Sequence, residues 1–242
     1  MRLHGKYLRP GWWSEHLEPV LLAAVLFVAG MLWAFVEIAD EVLEKEWKVY
    51  DKAILMAMRN PDDLTDAWGP GWLEEAVRDV TTFGSFTFII LSVATVIVFL
   101  LLNRQRFAAL YVFCAVGGGI LMIRVLKMIF SRPRPDLVPH LSHVQTASFP
   151  SGHTTLSAVV FLTMGAVLAK SQERRSVKIF VLSLAVFLSL AVGLSRVYLG
   201  VHWPTDVLAG WCVGSAWAIL AWVIAHWLEH HGPLRGNIKK SV

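Results

Sequence analysis

The chain has little charge for its length and almost no cysteine. Only 17% of its 242 residues are Asp, Glu, Lys or Arg, whereas soluble proteins average about 25%. The two cysteines, Cys114 and Cys212, both lie within apolar runs, where we expect them to be buried as small hydrophobic side chains. Two isolated thiols exclude both a disulfide framework and a thiolate zinc site.

The chain also lacks internal repeats, low-complexity linkers and any basic stripe interleaved with aromatic residues. Its formal net charge is +4, and the basic residues are spread over many loops. That distribution suits an anionic lipid surface better than a nucleic acid. We therefore expect one domain, residues 1–242, with the bilayer as a partner and no nucleic acid. The sequence carries no signal for an oligomeric state.

What the chain has in abundance is apolar sequence, since 56% of its residues are hydrophobic. A membrane-spanning helix needs about 20 mostly apolar residues. Six segments meet this requirement, at 18–38, 83–102, 107–126, 152–169, 179–199 and 206–227. They predict an all-α, polytopic membrane protein with six transmembrane helices in one bundle. The first apolar run is longer than a signal-peptide core and no small-residue cleavage site follows it, so we expect a retained anchor.

The distribution of lysine and arginine predicts the orientation of the spans. With the N-terminus inside, the cytoplasmic pieces hold 12 of the 22 basic residues. Of the other ten, five lie in or beside the motifs described below and five are spread over a long loop that carries 11 acidic residues. By the positive-inside rule both termini are cytoplasmic and the motifs face outward, in what we expect to be the cytoplasmic membrane.

Residues 39–82, here called the outer segment, form the only long piece that does not span. Apolar side chains recur there at three- and four-residue steps, at Leu43, Trp47, Tyr50, Ile54 and Met58. This spacing is typical of an amphipathic helix. Breaks are predicted at 60–63 and 69–71, which read Asn-Pro-Asp-Asp and Gly-Pro-Gly. We expect a helix on the membrane surface or packed over the bundle, with a lid over a site as the second hypothesis.

The first motif is a pair of cations after the third predicted span. Lys127 ends that span, and Arg134 follows between Pro133 and Pro135. Alternating prolines forbid a continuing helix and force an extended loop. Both cations are therefore expected at one outer corner of the bundle. Taken alone, such a pair is most often an anchor for lipid headgroups.

The second motif, Pro-Ser-Gly-His at 150–153, opens the fourth predicted span. Ser151 is a favourable N-cap, and Gly152 permits close approach of the backbone. The free N–H groups of a first helical turn form an anion site, and His153 stands beside it. The alternative is a histidine that is simply hydrogen-bonded at a helix end.

The third motif joins the last two predicted spans. Ser195 and Arg196 close the fifth span, and His202 lies in a short turn. Pro204 suits the first position of the next helix, which places Asp206 near its third position, within reach of His202. A carboxylate on one imidazole nitrogen fixes the tautomer and leaves the other nitrogen as a nucleophile.

Zinc is the competing use of these histidines and the carboxylate. However, His153, His202 and Asp206 lack a local ligand motif, and three neighbouring cations would repel a metal ion. We therefore predict no metal and no cofactor.

Taken in order and against the helix ends, the three motifs resemble the signature of the type 2 phosphatidic acid phosphatase superfamily. The resemblance extends over about residues 80–225 and includes the order of the spans, and no signature position is substituted. It implies a six-helix membrane bundle that removes phosphate, without a metal, from a lipid phosphate or lipid pyrophosphate at the outer membrane face.

The resemblance also implies roles for individual residues. His202 is implied as the nucleophile that becomes a phosphohistidine, Asp206 as its partner and His153 as the acid. The residues implied to hold the substrate phosphate are Lys127, Arg134, Ser151, Gly152 and Arg196.

Two other functions remain open at this point. A lipid phosphotransferase would carry the same motifs, and only an assay with and without an acceptor would distinguish it. A transporter or channel would place ionisable groups near the middle of the bilayer on broken helices. The run Gly117 to Gly119 is the best sign of such a break, although close helix packing explains these small residues equally well.

Overall fold

The computed structural model describes residues 11–44, 48–138 and 146–231, which form eight helices and one two-stranded antiparallel hairpin. In chain order the elements are α1 (Gly11–Glu44), α2 (Lys48–Ala57), β1 (Arg59–Asn60), β2 (Asp63–Ala67), α3 (Gly71–Thr82), α4 (Phe86–Leu102), α5 (Arg106–Phe130), α6 (Gly152–Lys170), α7 (Arg175–Tyr198) and α8 (Pro204–His231).

The helices confirm the prediction of an all-α membrane protein with six spans. Among the described residues, five helices are long and apolar enough to cross a membrane alone, namely α1, α5, α6, α7 and α8. The pair α3 and α4, bent by 48° at the break between the two helices, passes the same test only when taken together, so the described residues hold five spans, or six with this pair.

The first helix is longer than its apolar run. α1 continues to Glu44, beyond the predicted span end at residue 38. Acidic residues such as Glu37 and Asp40 end an apolar run, but they do not break a helix. The added turns still pack, since Ala39 is buried in a cluster with residues of α8. The hydropathy pattern therefore located the span but not the end of the helix.

α6 lies at the centre of the bundle. More than half of its span is buried, whereas only 6% of the apolar stretch of α1 is buried. α8 approaches α6 closely because Gly214 has no side chain: a Cβ there would stand 2.7 Å from the carbonyl oxygen of Thr155. This contact brings the start of α8 against the start of α6.

The glycine run of α5 serves helix packing. α5 is continuous through Gly117, Gly118 and Gly119. Gly118 faces the ring of Trp217 on α8, and Gly119 faces Val159 on α6. The run therefore contains no break of the kind that a transporter would require.

The expectation that both cysteines are buried is wrong. Cys114 on α5 is exposed on the outside of the bundle, and Cys212 on α8 is half-buried. In a membrane protein the lipid is as apolar as the core, so hydropathy alone does not tell a lipid-facing position from a packed one.

The outer segment comprises the end of α1, then α2, the hairpin and α3. Both predicted breaks are present. The hairpin turns at 60–63, with Arg59 opposite Ala67 and Asn60 opposite Asp63. The second break is the turn at Gly69, whose φ is +110°, and it precedes the first residue of α3. Two helices and a hairpin thus occupy the region for which the sequence predicted one amphipathic helix.

The face of α2 that packs on the bundle is not the predicted apolar stripe. Tyr50 and Ile54 are exposed, and α2 instead buries Asp51 and Leu55. Trp47, the second residue of the stripe, lies outside the described residues. The periodicity predicted a helix correctly. The buried face, however, depends on the polar contacts of Asp51, and a pattern of hydrophobic residues does not indicate such contacts.

Two small apolar clusters seat the outer segment on the loop between α7 and α8. Leu55 of α2 packs in one cluster with Trp203. Ala67 of the hairpin packs in the other with Leu199 and Val201. The outer segment therefore covers the loop that carries part of the third motif.

Candidate active site

Four helix ends bring the three motifs together. α5 and α7 end where α6 and α8 begin, and all eight predicted site residues lie at this end of the bundle. Alternating helix directions explain the convergence, because the ends of α5 and α7 then lie on the same side of the bundle as the starts of α6 and α8. The same end carries the outer segment.

His202 and Asp206 form the centre of the site. Pro204 begins α8, as predicted, and Asp206 is the third residue of the helix. Its Oδ2 accepts a hydrogen bond from the backbone N–H of Trp203 at 2.9 Å and lies 3.4 Å from Nδ1 of His202. Both side chains are buried, His202 at 1% exposure and Asp206 at 0%. The carboxylate therefore reaches back to the imidazole as the spacing predicted.

The contacts of the imidazole define its tautomer. Nε2 of His202 lies 3.1 Å from Nη1 of Arg134. A guanidinium can only donate, so Nε2 is the acceptor in this contact and carries a lone pair. The proton of the neutral ring is therefore on Nδ1, which faces Asp206 Oδ2 and, at 3.3 Å, Ser148 Oγ.

Burial keeps this ring neutral. Loss of water around the charged form lowers the pKa of His202 to about 3. The hydrogen bond and charge of Asp206 act in the opposite direction, while the charges of Arg134 and Arg196 lower the pKa further. An unprotonated Nε2 is thus available at neutral pH.

Arg134 is fixed by backbone carbonyl groups. Its Nε donates to the Thr146 oxygen at 2.8 Å, and its Nη1 donates to the Val201 oxygen at 2.7 Å. Burial lowers the pKa of Arg134 and the charge of Asp206 raises it, but a guanidinium remains charged in proteins. The planar fork is therefore held beside His202 with its charge intact.

Lys127 reaches the start of α6 from the last turn of α5. Its Nζ donates to the carbonyl oxygen of Ala147. Its Cε lies against Gly152, where a Cβ would come within 3.4 Å. The ammonium group of Lys127 thus lies beside the first turn of α6.

Arg196 supplies a buried cation from the last turn of α7. It is 1% exposed, and its Nη1 donates to Thr81 Oγ1 of α3 at 2.9 Å. Its Nε is buried without a hydrogen-bond partner among the described residues. A buried N–H without an acceptor is costly, and the oxygen of an anionic ligand would satisfy it.

The start of α6 differs in one respect from the prediction. Ser151 occupies the N-cap position, but its side chain makes no capping hydrogen bond. Its N–H donates instead to the Asp206 carbonyl oxygen at 3.0 Å, and its Oγ accepts from Thr154 Oγ1 at 2.8 Å. The close approach of α8 thus takes the Ser151 amide. The first-turn amides of Gly152 and His153 have no partner within the helix.

His153 stands in the first turn of α6, half-buried. A Cβ on Gly84, in the turn between α3 and α4, would lie 3.3 Å from its Cδ2. The ring is within electrostatic range of Lys127, Arg134 and Arg196. His153 and His202 thus share one cationic site.

Three side chains that the motifs did not single out contact the His202–Asp206 pair or a residue bound to it. Arg132 forms ion pairs with Asp206 Oδ1 at 2.6 Å and with Asp51 Oδ2 at 2.8 Å. Ser148 donates a hydrogen bond from Oγ to Asp206 Oδ2. Arg132 stood in the first motif as a visible cation, but neither Asp51 nor Ser148 belongs to any pattern in the sequence.

The part of the chain that the structure describes contains no set of ligands for the alternative function, a zinc site. There, no three His, Cys, Asp or Glu side chains are grouped so that they could hold a metal ion. The neighbours of the His202–Asp206 pair are Arg132 and Arg134, which repel cations.

Comparison with known families identifies this arrangement. The sequence profile of the PAP2 superfamily matches residues 107–229, more than half of the chain, and this range contains all three motifs. The chain belongs to the PAP2 superfamily. The resemblance stated from the motifs is thereby confirmed, and so is the predicted enzyme class, a membrane lipid phosphatase.

Individual relatives of this PAP2 protein agree with that class. It is 35% identical over 148 residues to phosphatidylglycerophosphatase B of Bacillus subtilis, with 59% of this chain and 70% of the relative covered. It is 28% identical over 123 residues to a lipid A 1-phosphatase of Rhizobium etli, with 47% of this chain and 49% of the relative covered. The chain thus spans about half the length of the second relative.

A solved structure has the same fold. The crystal structure of a transmembrane PAP2-type phosphatidylglycerolphosphate phosphatase from Bacillus subtilis superposes with a TM-score of 0.74 at 28% identity. The superposition covers 84% of this chain and 98% of that one. Nearly the whole of the solved chain thus has a counterpart in this PAP2 protein.

Proposed function

We propose that this PAP2 protein hydrolyses a lipid phosphate or lipid pyrophosphate at the outer face of the membrane, through a phosphohistidine on His202. The observation that carries the proposal is the position of His202 between Asp206 and Arg134. One ring nitrogen faces a carboxylate, and the other presents a lone pair to a cationic site.

The cations suit the transition state of phosphoryl transfer. A phosphoryl group in transit spreads negative charge over three oxygens, and catalysis depends on positioning and on positive charge that is already in place. Lys127, Arg134 and Arg196 provide that charge as side chains. The unpartnered Nε of Arg196 and the first-turn amides of Gly152 and His153 supply further N–H donors.

In the first step, Nε2 of His202 attacks phosphorus as the bond to the lipid oxygen breaks. Arg134 Nη1, which now donates to Nε2, transfers its hydrogen bond to a phosphate oxygen and frees the lone pair. His153 gives a proton to the leaving oxygen. Asp206 stabilises the positive charge that develops on the His202 ring.

In the second step, water attacks phosphorus on the side opposite His202. His153, now neutral, accepts the proton of that water, and the N–P bond breaks as its electrons return to Nε2. Inorganic phosphate leaves, and both histidines regain their starting protonation states.

Phosphatidylglycerol phosphate is the first substrate to test, because two relatives are named for it. The experiment is phosphate release by the purified protein in detergent from that lipid, phosphatidate, a polyprenyl pyrophosphate and lipid A. Release from at least one of these lipids is expected. Transfer of phosphate to an added lipid acceptor, without release, would instead make the protein a phosphotransferase.

Chelation gives a prediction about the source of the positive charge. Because the cations of the site are side chains, we expect phosphate release to remain within about twofold of its normal rate after dialysis against EDTA. The measurement is initial rate before and after dialysis, with Mg²⁺ and Zn²⁺ returned in separate samples. Loss on chelation with recovery in one metal would contradict the proposed mechanism.

The pH dependence follows from the burial of His202. Its pKa in the folded protein lies near 3, below the ordinary value of about 6.5. The nucleophile stays neutral until the pH falls well below the usual histidine range. We therefore expect a bell-shaped profile of kcat/KM whose acid limb lies below pH 6.5 and whose alkaline limb reflects loss of the acid's proton. A flat profile from pH 4 to 9 would contradict both histidine roles.

The same pKa has a consequence for stability, with a definite sign. Above about pH 6.5 His202 is neutral in both the folded and unfolded states and makes no contribution to the pH dependence. Below that value the unfolded chain binds the proton and the folded chain resists it, so stability falls as the pH falls towards 3.

The outward orientation is tested by cysteine labelling in intact cells. In a background with Cys114→Ala and Cys212→Ala, a cysteine replaces either Asp62 or Ser171. Asp62 is exposed at the hairpin turn beside the site, and Ser171 is exposed at the opposite end of the bundle. We expect an impermeant thiol reagent to label position 62 and not position 171. Labelling of position 171 alone would invert the topology.

A further inference from the structure

A buried ring of polar groups connects the outer segment to Asp206. Its members are Asp51 on α2, Arg132 in the loop after α5, and Thr205 and Asp206 in the first turn of α8. Asp51, Thr205 and Asp206 are each at most 2% exposed. The side chain of Arg132 is 15% exposed.

Arg132 bridges two carboxylates with the two ends of its fork. Nη1 donates to Asp206 Oδ1 at 2.6 Å and to Thr205 Oγ1 at 2.8 Å. Nη2 donates to Asp51 Oδ2 at 2.8 Å. The guanidinium carbon also lies 5.6 Å from the ring centre of Trp203, a cation–π contact. These contacts leave the planar group one orientation.

Asp51 holds both Arg132 and the start of α8. Its Oδ1 accepts from the Thr205 N–H at 3.0 Å, and its Oδ2 accepts from Thr205 Oγ1 at 2.7 Å. Asp51, which belongs to α2, therefore caps the N-terminal turn of α8, and it also pairs with Arg132. An unpaired carboxylate buried at this position would be strongly unfavourable. The three donors around Asp51 therefore stabilise its burial.

In this ring of polar groups, the two oxygens of Asp206 make different contacts. Oδ1 is taken by Arg132. Oδ2 faces Nδ1 of His202 and also accepts from Ser148 and from the Trp203 N–H. With Oδ1 fixed, the carboxylate cannot rotate away from the imidazole.

We propose that Asp51 and Arg132 are positioning residues for the His202–Asp206 pair, with Asp51 acting through Arg132. The outer segment, which carries Asp51, thereby contributes a residue to the site. This inference rests on the proposed function of His202. Neither residue is expected to touch the substrate. Their task is to hold Asp206 so that His202 keeps its Nδ1 proton and aims Nε2 at phosphorus.

The consequence is a loss of kcat with little change in KM. Lys127, Arg134 and Arg196 still hold the phosphate when Asp51 or Arg132 is changed. A small displacement of a reacting group can cost about 10²-fold in rate. We therefore expect Asp51→Asn and Arg132→Gln each to lower kcat by about 10- to 100-fold, with KM within about threefold of the original value.

A double-mutant cycle tests whether Asp51 acts through Arg132. If it does, Asp51→Asn lowers kcat in the parent protein and has almost no further effect in the Arg132→Gln background. Equal fold losses in both backgrounds would mean that Asp51 acts independently, and the inference would be wrong. Parent-like kcat in both single variants would also overturn it.

The pH dependence of kcat/KM is a second test, because it would not shift if Arg132 had a purely structural role. The charged groups that face His202 are Asp206, Arg134 and Arg196, with Arg132 and Asp51 behind Asp206. Removing the positive charge of Arg132 makes protonation of the His202–Asp206 pair easier. We expect the acid limb of kcat/KM to move to higher pH in Arg132→Gln, measured on the folded fraction, and an unmoved limb would contradict the inference.

Two controls separate this inference from the proposed function. Lys170→Gln removes an ion pair with Glu229 that joins α6 to α8 at the opposite end of the bundle, and parent-like kcat is expected. His202→Ala is assayed in parallel. If His202→Ala is inactive while the Asp51 and Arg132 variants are normal, the positioning inference alone fails. If His202→Ala is active, the proposed nucleophile fails.

Discussion

Replacing His202 with alanine is expected to reduce phosphate release on the order of 10⁴-fold or more, because the proposed nucleophile is lost. His202→Asn should be equally inactive, since an amide nitrogen has no lone pair for attack. The measurement is kcat of the purified variants with the best lipid of the substrate panel. Turnover like that of the parent protein would remove His202 from the mechanism.

A control is needed because His202 is buried at 1% exposure and contacts both Arg134 and Asp206. Alanine leaves a cavity there and a carboxylate with one donor fewer, so some loss of stability is expected. Thermal unfolding of each variant shows whether the bundle remains folded. His226→Asn changes a histidine of α8 that stacks on Trp222, far from the start of that helix, and should be fully active.

The second large effect is expected from Arg134→Lys and Arg196→Lys, even though both changes keep the charge. A guanidinium can place two parallel N–H groups on a phosphate, and an ammonium group cannot. We expect each variant to lose about 10²-fold in kcat/KM. Arg196→Lys also removes Nη1, the donor to Thr81 Oγ1, and Nε, which has no partner among the described residues and is available to the phosphate.

Arg124→Lys is the matched control for these variants. Arg124 is exposed on α5, one turn before Lys127, and a snorkelling cation there tolerates exchange. Near-normal turnover in both site variants would show that charge alone holds the phosphate. Lys127→Arg is expected to be harmful, since the lysine Cε lies so near the start of α6 that a Cβ on Gly152 would be 3.4 Å from it, and the wider guanidinium would have to fit into the same space.

The sequence located most of the site because its motifs are attached to helix ends. Hydropathy predicted where the spans lie, and the alternating direction of successive spans then places Lys127, His153 and Arg196 at one end of the bundle. The partnership of His202 with Asp206 is local. A turn of the chain and the first turn of one helix suffice to bring the two side chains together, so spacing alone predicted it.

The contacts that the sequence did not predict are those made across the fold. Asp51 meets Arg132, and Thr81 meets Arg196, only because the outer segment packs over the α7–α8 loop. Asp51 was not among the residues of the predicted apolar stripe. Its burial depends on an ionic partner more than 80 residues away, and no local pattern records such a partner.

Ser151 shows a different limit. Its residue type is favourable at an N-cap, and it occupies that position, yet its side chain caps nothing. Its Oγ accepts from the Thr154 hydroxyl rather than from a backbone N–H, and its own amide donates to the Asp206 carbonyl oxygen across the close contact that Gly210 and Gly214 permit. Local propensity described the position correctly, but tertiary packing decided which hydrogen bonds are made there.

The most direct test of the central claim is to trap the phosphorylated enzyme. His153→Ala removes the proposed base of the second step, and a lipid pyrophosphate keeps the first step fast, because its phosphate leaving group needs little help from an acid. A rapid alkaline quench after mixing with lipid pyrophosphate labelled with ³²P at the terminal phosphate should then retain the label. We predict a phosphate that is stable in base, labile in acid and located by peptide mass spectrometry on His202. Label on any other residue, or steady phosphate release with no labelled protein at any quench time, would contradict the account.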